Sequence, residues 1–115
     1  MARQITFYKT YFMDFYLELD PKTQRKVDFV LDIIKKVEDI PAKFLKHITG
    51  SEGLFEIRVA LRGNIYRIFC FFDKDKLVVL LNGFQKKSQK TPKNEIALAE
   101  KLKKEYFEDK KRRTS

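Results

Sequence analysis

The chain has 115 residues, a length that fits one domain, and 43% of them are hydrophobic, which is enough for one real core. The single cysteine, Cys70, excludes an internal disulfide and a multi-cysteine metal site, and the single histidine, His47, excludes a histidine-based metal site or a two-histidine ribonuclease pair. The formal net charge of +9 builds towards the C-terminus, and such a basic domain usually binds a polyanion or an acidic protein, although the charge can also serve solubility alone.

Membrane and targeting signals are not evident in the sequence. No segment reaches the roughly 18 apolar residues of a membrane span, and the first residues, MARQITFYKTYF, lack the apolar stretch of a signal peptide. We therefore expect one cytoplasmic domain over residues 1–115, with no membrane partner.

The first part of the chain predicts a strand followed by two helices. QITFY (residues 4–8) is rich in β-branched and aromatic residues, as strands are. Apolar residues at helical spacing follow in residues 12–19, and Asp20-Pro21 then supplies an N-cap and a first-turn proline for a second helix that ends before Pro41. So short a break predicts an antiparallel helix pair, a helical hairpin.

The second part changes from a helical period to a period of two. After a connector over residues 41–53, GLFEIRVAL (53–61) alternates, so that its apolar residues Phe55, Ile57 and Val59 point one way and Leu54, Glu56 and Arg58 point the other. IYRIFCFF (65–72) and LVVLLNGF (77–84) follow after short turns, which predicts a three-stranded antiparallel meander.

Thr91-Pro92 starts the last predicted helix, and residues 108–115 are expected to form a flexible basic tail. The element order therefore predicts an α+β fold: a small, mainly antiparallel four-stranded sheet, with the N-terminal helical hairpin packed on one face and a C-terminal helix. Such a sheet leaves its other face open to water or to a ligand.

Two arginines break the apolar pattern of the meander. Arg67 lies in the middle of an almost wholly apolar strand, and Arg58 lies on the strand face opposite the apolar residues. An unpaired guanidinium is costly to bury, so we expect both to stand on the open face, where they are suited to grip phosphate. The alternative is that each pairs with Glu56 or a turn aspartate across the strands.

A lysine cluster follows the last strand of the meander. Lys86, Lys87 and Lys90 lie between that strand and the N-terminus of the last helix, so lysines, arginines and helix end could converge on one anion. Phe84 could stack on a nucleobase, and Lys46 could extend the basic surface. The alternatives are a solvated connector for the lysines and a core position for Phe84.

Three segments, GLFEIRV, GNIYRIFCFF and VVLLNGFQKKSQKTP, together resemble the RelE/HigB toxins of bacterial type II toxin–antitoxin systems, in the RelE/ParE superfamily. The match is strongest to the phage-derived, HigB-like branch, in which a GF-x-KK-[ST]-x-KTP run closes the last strand. The resemblance covers nearly the whole chain and implies a RelE/ParE-like fold.

The resemblance implies a metal-independent endoribonuclease that enters the ribosomal A site and cleaves the mRNA codon there by attack of a ribose 2′-OH on the adjacent phosphate, without a cofactor. Carried over by position, the catalytic residues are Arg58, Arg67, Lys86 and Lys87, and the candidate RNA-binding residues are Lys90, Phe84, Lys46 and Tyr66. The sequence departs from RelE in having Glu56 where RelE has a second strand lysine. It also has no clear counterpart of the tyrosine in the last helix of RelE, which leaves the general base open.

The resemblance also implies a cognate antitoxin, typically a helix-turn-helix, HigA-like protein, through which alone the toxin would reach operator DNA. The ribosome and mRNA are the other implied partners. Two alternative functions stay open: a ParE-like poison of DNA gyrase, which generally lacks clustered basic residues on the open face, and a non-catalytic RNA- or DNA-binding module. An inactive relic of a toxin is a third possibility.

Overall fold

The computed structural model, which describes residues 2–114, has the α+β class that the sequence predicts, with three helices and one five-stranded sheet. The elements are, in chain order, β1 (Gln4–Phe7), α1 (Tyr11–Leu17), α2 (Pro21–Lys36), β2 (Leu45–His47), β3 (Phe55–Leu61), β4 (Asn64–Asp73), β5 (Leu77–Lys86) and α3 (Lys93–Thr114). In this described part of the chain, no helix is both long and apolar enough to cross a membrane.

The strands lie in the order β1-β5-β4-β3-β2. β1 is parallel to β5, with Gln4 opposite Leu77, whereas the other neighbours are antiparallel, so the predicted meander and the mainly antiparallel sheet are confirmed. The expectation of four strands is wrong, because β2 forms inside the predicted connector and pairs with β3. Its three residues are too few to show an alternating pattern.

Tight turns fix the register of the meander. Arg62 and Gly63 between β3 and β4 have φ values of 53° and 82°, and Lys74 and Asp75 between β4 and β5 have values of 56° and 65°. Positive φ at both residues of the two-residue Arg62-Gly63 loop gives a hairpin turn whose twist matches that of the strands, whereas the loop between Asp73 and Leu77 has three residues.

The helical hairpin forms as its start signals indicate. Asp20 accepts a hydrogen bond from the backbone N–H of Thr23 (2.7 Å), with Pro21 in the first turn of α2. The hydroxyl of Tyr16 in α1 donates to Asp28 in α2 (2.8 Å), which ties the two helices together. Their apolar sides cover one face of the sheet, over residues such as Ile57, Val59, Ile68 and Leu80.

The second face of the sheet is not fully open, contrary to expectation. α3 packs on it, and Ala99 and Leu102 are buried against Phe69, Phe71 and Leu81. The reason is that α3 carries its own apolar stripe, which the hydrophobic effect drives onto the remaining apolar side of β4 and β5.

The expected tail over residues 108–115 is replaced by helix as far as Thr114, while Ser115 lies outside the described residues. Contacts to the sheet explain the continuation. Lys110 donates to Asp73 at the end of β4 (2.7 Å), and the hydroxyl of Tyr106 donates to the same carboxylate (2.8 Å). Burial, followed by this hydrogen bond, raises the pKa of Tyr106 to about 12.

β5 contains a bulge that separates its buried half from its exposed half. The pairing of β4 with β5 shifts between Ile68 and Cys70, where β5 holds one extra residue. Leu81 therefore enters the core beneath α3, and Asn82 next to it also points towards α3, where its amide donates to the Glu95 carboxylate (2.9 Å). The bulge thus ties the exposed half of β5 to the start of α3.

Candidate nucleic-acid interface

Two arginines face each other on neighbouring strands. Arg58 in β3 is directly opposite Arg67 in β4. Because strand side chains alternate, both lie on the face opposite the helical hairpin, which Ile57 and Ile68 face. Like charges directly opposite each other destabilise a sheet, so this pair needs a compensating charge.

Glu56 supplies that compensating charge. Its Oε2 atom lies 2.8 Å from Nε of Arg67 and 3.7 Å from Nε of Arg58. The shorter contact lacks an aligned N–H, so it is an ion pair held by charge rather than a well-formed hydrogen bond. Both arginines therefore contact Glu56, the partner predicted in the alternative interpretation of the sequence. The diagonal pairing depends on strand register, which the sequence leaves open.

The two arginines differ in accessibility. Arg67 is only 5% exposed, and its Nη1 donates to the carbonyl of Tyr66 (3.1 Å). Burial lowers the pKa of Arg67, with Glu56 acting in the opposite direction and Arg58 adding to the lowering; a guanidinium nevertheless stays protonated. The side chain of Arg58 is 31% exposed and reaches solvent. Arg67 is therefore the fixed member of the pair and Arg58 the accessible one.

Two adjacent grooves carry the basic residues. The arginine groove, of about 240 Å³, is lined by Lys43, Arg58, Val59, Ala60, Ile65 and Arg67. The lysine groove, of about 410 Å³, is lined by Ile65, Lys86, Lys87, Ser88 and Gln89. Ile65 belongs to both and is the register partner of Lys86, so the grooves adjoin across one exposed apolar side chain.

Two further predicted lysines lie at the margins of this surface. Lys46 in β2 is exposed and directly opposite Glu56, so it stands on the same face as the arginines. Lys90 is exposed in the loop before α3, where its carbonyl accepts from the hydroxyl of Ser88 (3.0 Å).

The two aromatic residues predicted to contact RNA, Phe84 and Tyr66, lie in different environments. Phe84 is opposite Arg67 and half-buried, with its ring centroid 5.3 Å from that of Phe69, so it is partly a core residue. Tyr66 is 7% exposed and packs on Phe15 beneath the helical hairpin, on the face opposite the arginines. This placement does not fit an RNA contact beside Arg67, and the alternation of the strand was the signal that could have excluded it.

The N-terminus of α3 does not join the basic residues, contrary to expectation. Among the described residues of α3, none lines either groove. The hydrogen bonds from Asn82 to the backbone carbonyl of Glu95 (3.1 Å) and to its carboxylate hold the helix start beside the bulge instead.

Cys70 and His47, the single cysteine and the single histidine, both pack against other side chains of the fold. Cys70 is fully buried in the core, and this burial raises the pKa of its thiol. His47 lies exposed in β2 with its ring against Phe55 (5.3 Å between centroids). Within residues 2–114, no three side chains of the metal-binding types come together.

A family model described as "Phage derived protein Gp49-like (DUF891)" matches residues 14–104, which is most of the chain. The chain belongs to this family. Gp49-like proteins form a RelE/HigB-type toxin family. The matched residues of this Gp49-like chain include both arginines and the lysine cluster and exclude β1 and the end of α3.

No curated protein matches this Gp49-like chain. Among solved structures, one similar to it is the crystal structure of the archaeal RelE–RelB complex from Pyrococcus horikoshii OT3, with 18% sequence identity and a TM-score of 0.49. The likeness covers 72% of this chain and 93% of that one.

Proposed function

We propose that this Gp49-like chain is the toxin of a toxin–antitoxin pair of the HigB-like branch, and that it arrests growth by cleaving mRNA in the ribosomal A site. Membership of a toxin family supports the first part. The observation that carries the second is the basic surface on which Arg58 faces Arg67 and the lysine groove adjoins them. A concave surface with several cations suits a polyanion such as RNA.

The reaction that fits this surface is transfer of a phosphate linkage within RNA. A ribose 2′-OH attacks the adjacent phosphorus, the bond to the 5′ oxygen breaks, and the products are a cyclic phosphate and a 5′-OH. Negative charge grows on the phosphate oxygens during attack, and fixed guanidinium groups stabilise that charge. Arg58 is accessible enough to contact these oxygens, and Arg67 is held beside it by Glu56.

Proton transfer is assigned to the lysine groove. The attacking 2′-OH must lose a proton and the departing 5′ oxygen must gain one. Lys86 is half-buried and Lys87 is exposed in the same groove. A neutral amine can accept the first proton and an ammonium group can donate the second. Glu56 has a different part in this scheme, because its carboxylate already neutralises the two arginines.

The surroundings of the basic surface suggest how RNA binds. Lys46, Lys90 and the exposed part of Phe84 lie at its edges, where they can hold the flanking backbone and bases. The implied partners are the ribosome with its mRNA and a HigA-like, helix-turn-helix antitoxin that neutralises the toxin.

Arginine substitutions test the proposal. Each variant is induced in growing bacteria, and mRNA from translating ribosomes is mapped by primer extension. Arg58→Ala should lower codon cleavage by about 100-fold or more, the cost of removing one donor that stabilises developing charge. Arg62→Ala is the matched control, since Arg62 is an exposed arginine in the turn after β3.

The outcome distinguishes the candidate functions. Undiminished toxicity and cleavage in folded Arg58→Ala and Arg67→Ala proteins would refute the assignment of the site. Gyrase-dependent DNA breaks without RNA cleavage would instead identify a ParE-like poison. RNA binding with neither activity would identify a non-catalytic binding module.

A further inference from the structure

Half of β5 has a free edge. β1 ends at Phe7, opposite Leu80, and the chain then turns away into α1. Among residues 2–114, no strand pairs with the outer edge of residues 81–86, of which residues 83–86 pair with β4 on their other side. A free strand edge presents backbone N–H and C=O groups that can pair with another chain.

The free edge opens into a slot between α1 and α3. The slot has a volume of about 550 Å³, which is within the range of binding pockets in proteins. Phe15 from α1 and Leu98 from α3 line opposite walls, and Asn82, Gly83 and Gln85 of β5 line the floor. Gly83 brings the strand close to α1, since a Cβ atom there would lie 2.5 Å from the Phe15 ring.

Carboxylates surround this slot in a protein whose net charge is +9. Asp14 of α1 and Glu18 directly after it lie on one side and Glu95 of α3 lies on the other, and no lysine or arginine of the described residues lines the slot. We call it the acidic slot. Its charge repels nucleic acid and attracts a cationic partner.

Asn82 gives a second, independent indication of a ligand. The residue is 3% exposed and belongs to the floor of the slot, with its NH₂ group donating to Glu95. No donor in the described part of the chain reaches its Oδ1 atom. A buried acceptor without a donor costs free energy, and an N–H group of a bound chain can remove that cost.

We propose that the acidic slot binds an extended, basic segment of a partner protein, which adds to the sheet as a sixth strand along the outer edge of residues 81–86. Backbone hydrogen bonds to β5 give affinity, as in other cases of strand addition. Alternate side chains of the segment point to the α1 and α3 walls, where lysine or arginine can reach Asp14, Glu18 or Glu95. The inference does not depend on RNA cleavage, because the arginine groove shares none of the residues of the slot.

A peptide titration tests this inference on the full chain labelled with ¹⁵N. The probe is a capped hexapeptide of alternating lysine and valine, followed by amide chemical shifts. We expect saturable shifts at residues 81–86 that weaken as salt is added. A hexapeptide of alternating glutamate and valine should not bind, nor should the lysine–valine peptide with N-methylated backbone amides, because it cannot donate to β5.

Charge substitutions measure how much the carboxylates at the rim of the acidic slot, Asp14 and Glu18, contribute to peptide affinity. Asp14→Asn and Glu18→Gln should each weaken binding of the lysine–valine peptide by about two- to fivefold, the range for exposed ion pairs. Glu108→Gln is the control, since Glu108 is an exposed carboxylate far along α3 and outside the slot. It should leave the affinity unchanged.

Several results would overturn the inference. These are the absence of saturable shifts at residues 81–86, equal binding of the lysine–valine and glutamate–valine peptides, and an affinity of Asp14→Asn and Glu18→Gln equal to that of the parent protein. Shifts at these residues that depend on protein concentration alone would assign the slot to a second copy of the chain. The same shifts on adding a single-stranded RNA oligomer would assign it to nucleic acid.

Discussion

Replacing Glu56 with glutamine should destabilise the protein while leaving its shape unchanged. The substitution keeps the size of the side chain and removes its charge. Arg67, with a side chain only 7% exposed, then loses its anionic partner and still faces Arg58 across the strands. A buried charge left without a partner is among the costliest single changes in a protein.

The distances set the magnitude of this effect. Glu56 and Arg67 are separated by 2.8 Å. At an effective dielectric constant of about 20, unit charges at this distance attract by about 6 kcal/mol. Desolvation of the pair offsets part of this attraction, and measured losses for one partner of a buried pair are about 3–5 kcal/mol. Because the Glu56 side chain is 12% exposed, we expect a loss at the low end, about 3 kcal/mol, or about 10 °C in melting temperature.

Urea unfolding followed by far-ultraviolet circular dichroism measures this loss. Glu108→Gln, which removes an exposed carboxylate from α3, is the control and should change the free energy of unfolding by less than about 0.5 kcal/mol. Inorganic phosphate should stabilise the Glu56→Gln protein more than the parent, because the two arginines are then free to bind an anion. An unfolding free energy equal to that of the control would show that water, not Glu56, balances the charge of Arg67.

Three other substitutions or measurements test the fold. Gly83→Ala should cost about 1–3 kcal/mol, because its Cβ would lie 2.5 Å from the Phe15 ring, and adding Phe15→Leu should recover much of the loss in thermal melts. The hydrogen bond from Lys110 is the largest cause that lowers the pKa of Asp73, so this stabilisation is present above the unfolded-state pKa of about 3.9 and is lost as pH falls through the folded-state pKa. Asp73→Asn should therefore flatten the acid limb of stability against pH; an unchanged limb would rule this out. Cys70 should react with iodoacetamide only after unfolding, and rapid labelling of the native protein would contradict its burial.

Local patterns were sufficient for much of the fold. The alternation in β3 and the turn at Arg62-Gly63 were visible in the sequence, because a period of two and a glycine with positive φ are properties of neighbouring residues. The same holds for Asp20-Pro21 at the start of α2. β2 and the packing of α3 on the second face depend on contacts between distant segments, which no local pattern reports.

The candidate site was predictable to a similar degree. The face of Arg58 followed from alternation, and that of Arg67 followed from the cost of burying a charge. The identity of the carboxylate that balances the two arginines depends on the register of β3 against β4, which the sequence does not show. The separation of the N-terminus of α3 from the grooves depends on the contact of Asn82 with Glu95, which only the folded structure shows. The acidic slot could not be seen, because its walls come from α1, β5 and α3.

The bulge in β5 divides one strand into two stretches with different tolerance of sequence change. Residues 77–81 lie before or within it and are almost wholly buried, so hydrophobic volume constrains them. Residues 84–87 lie beyond it and are half-buried or exposed, so their chemistry can vary with little cost to the core. A family can therefore change the chemistry of this exposed surface by substitutions after the bulge, while the same strand keeps the sheet intact before it. A saturation scan for folding should show this as a step in mutational tolerance after Gly83.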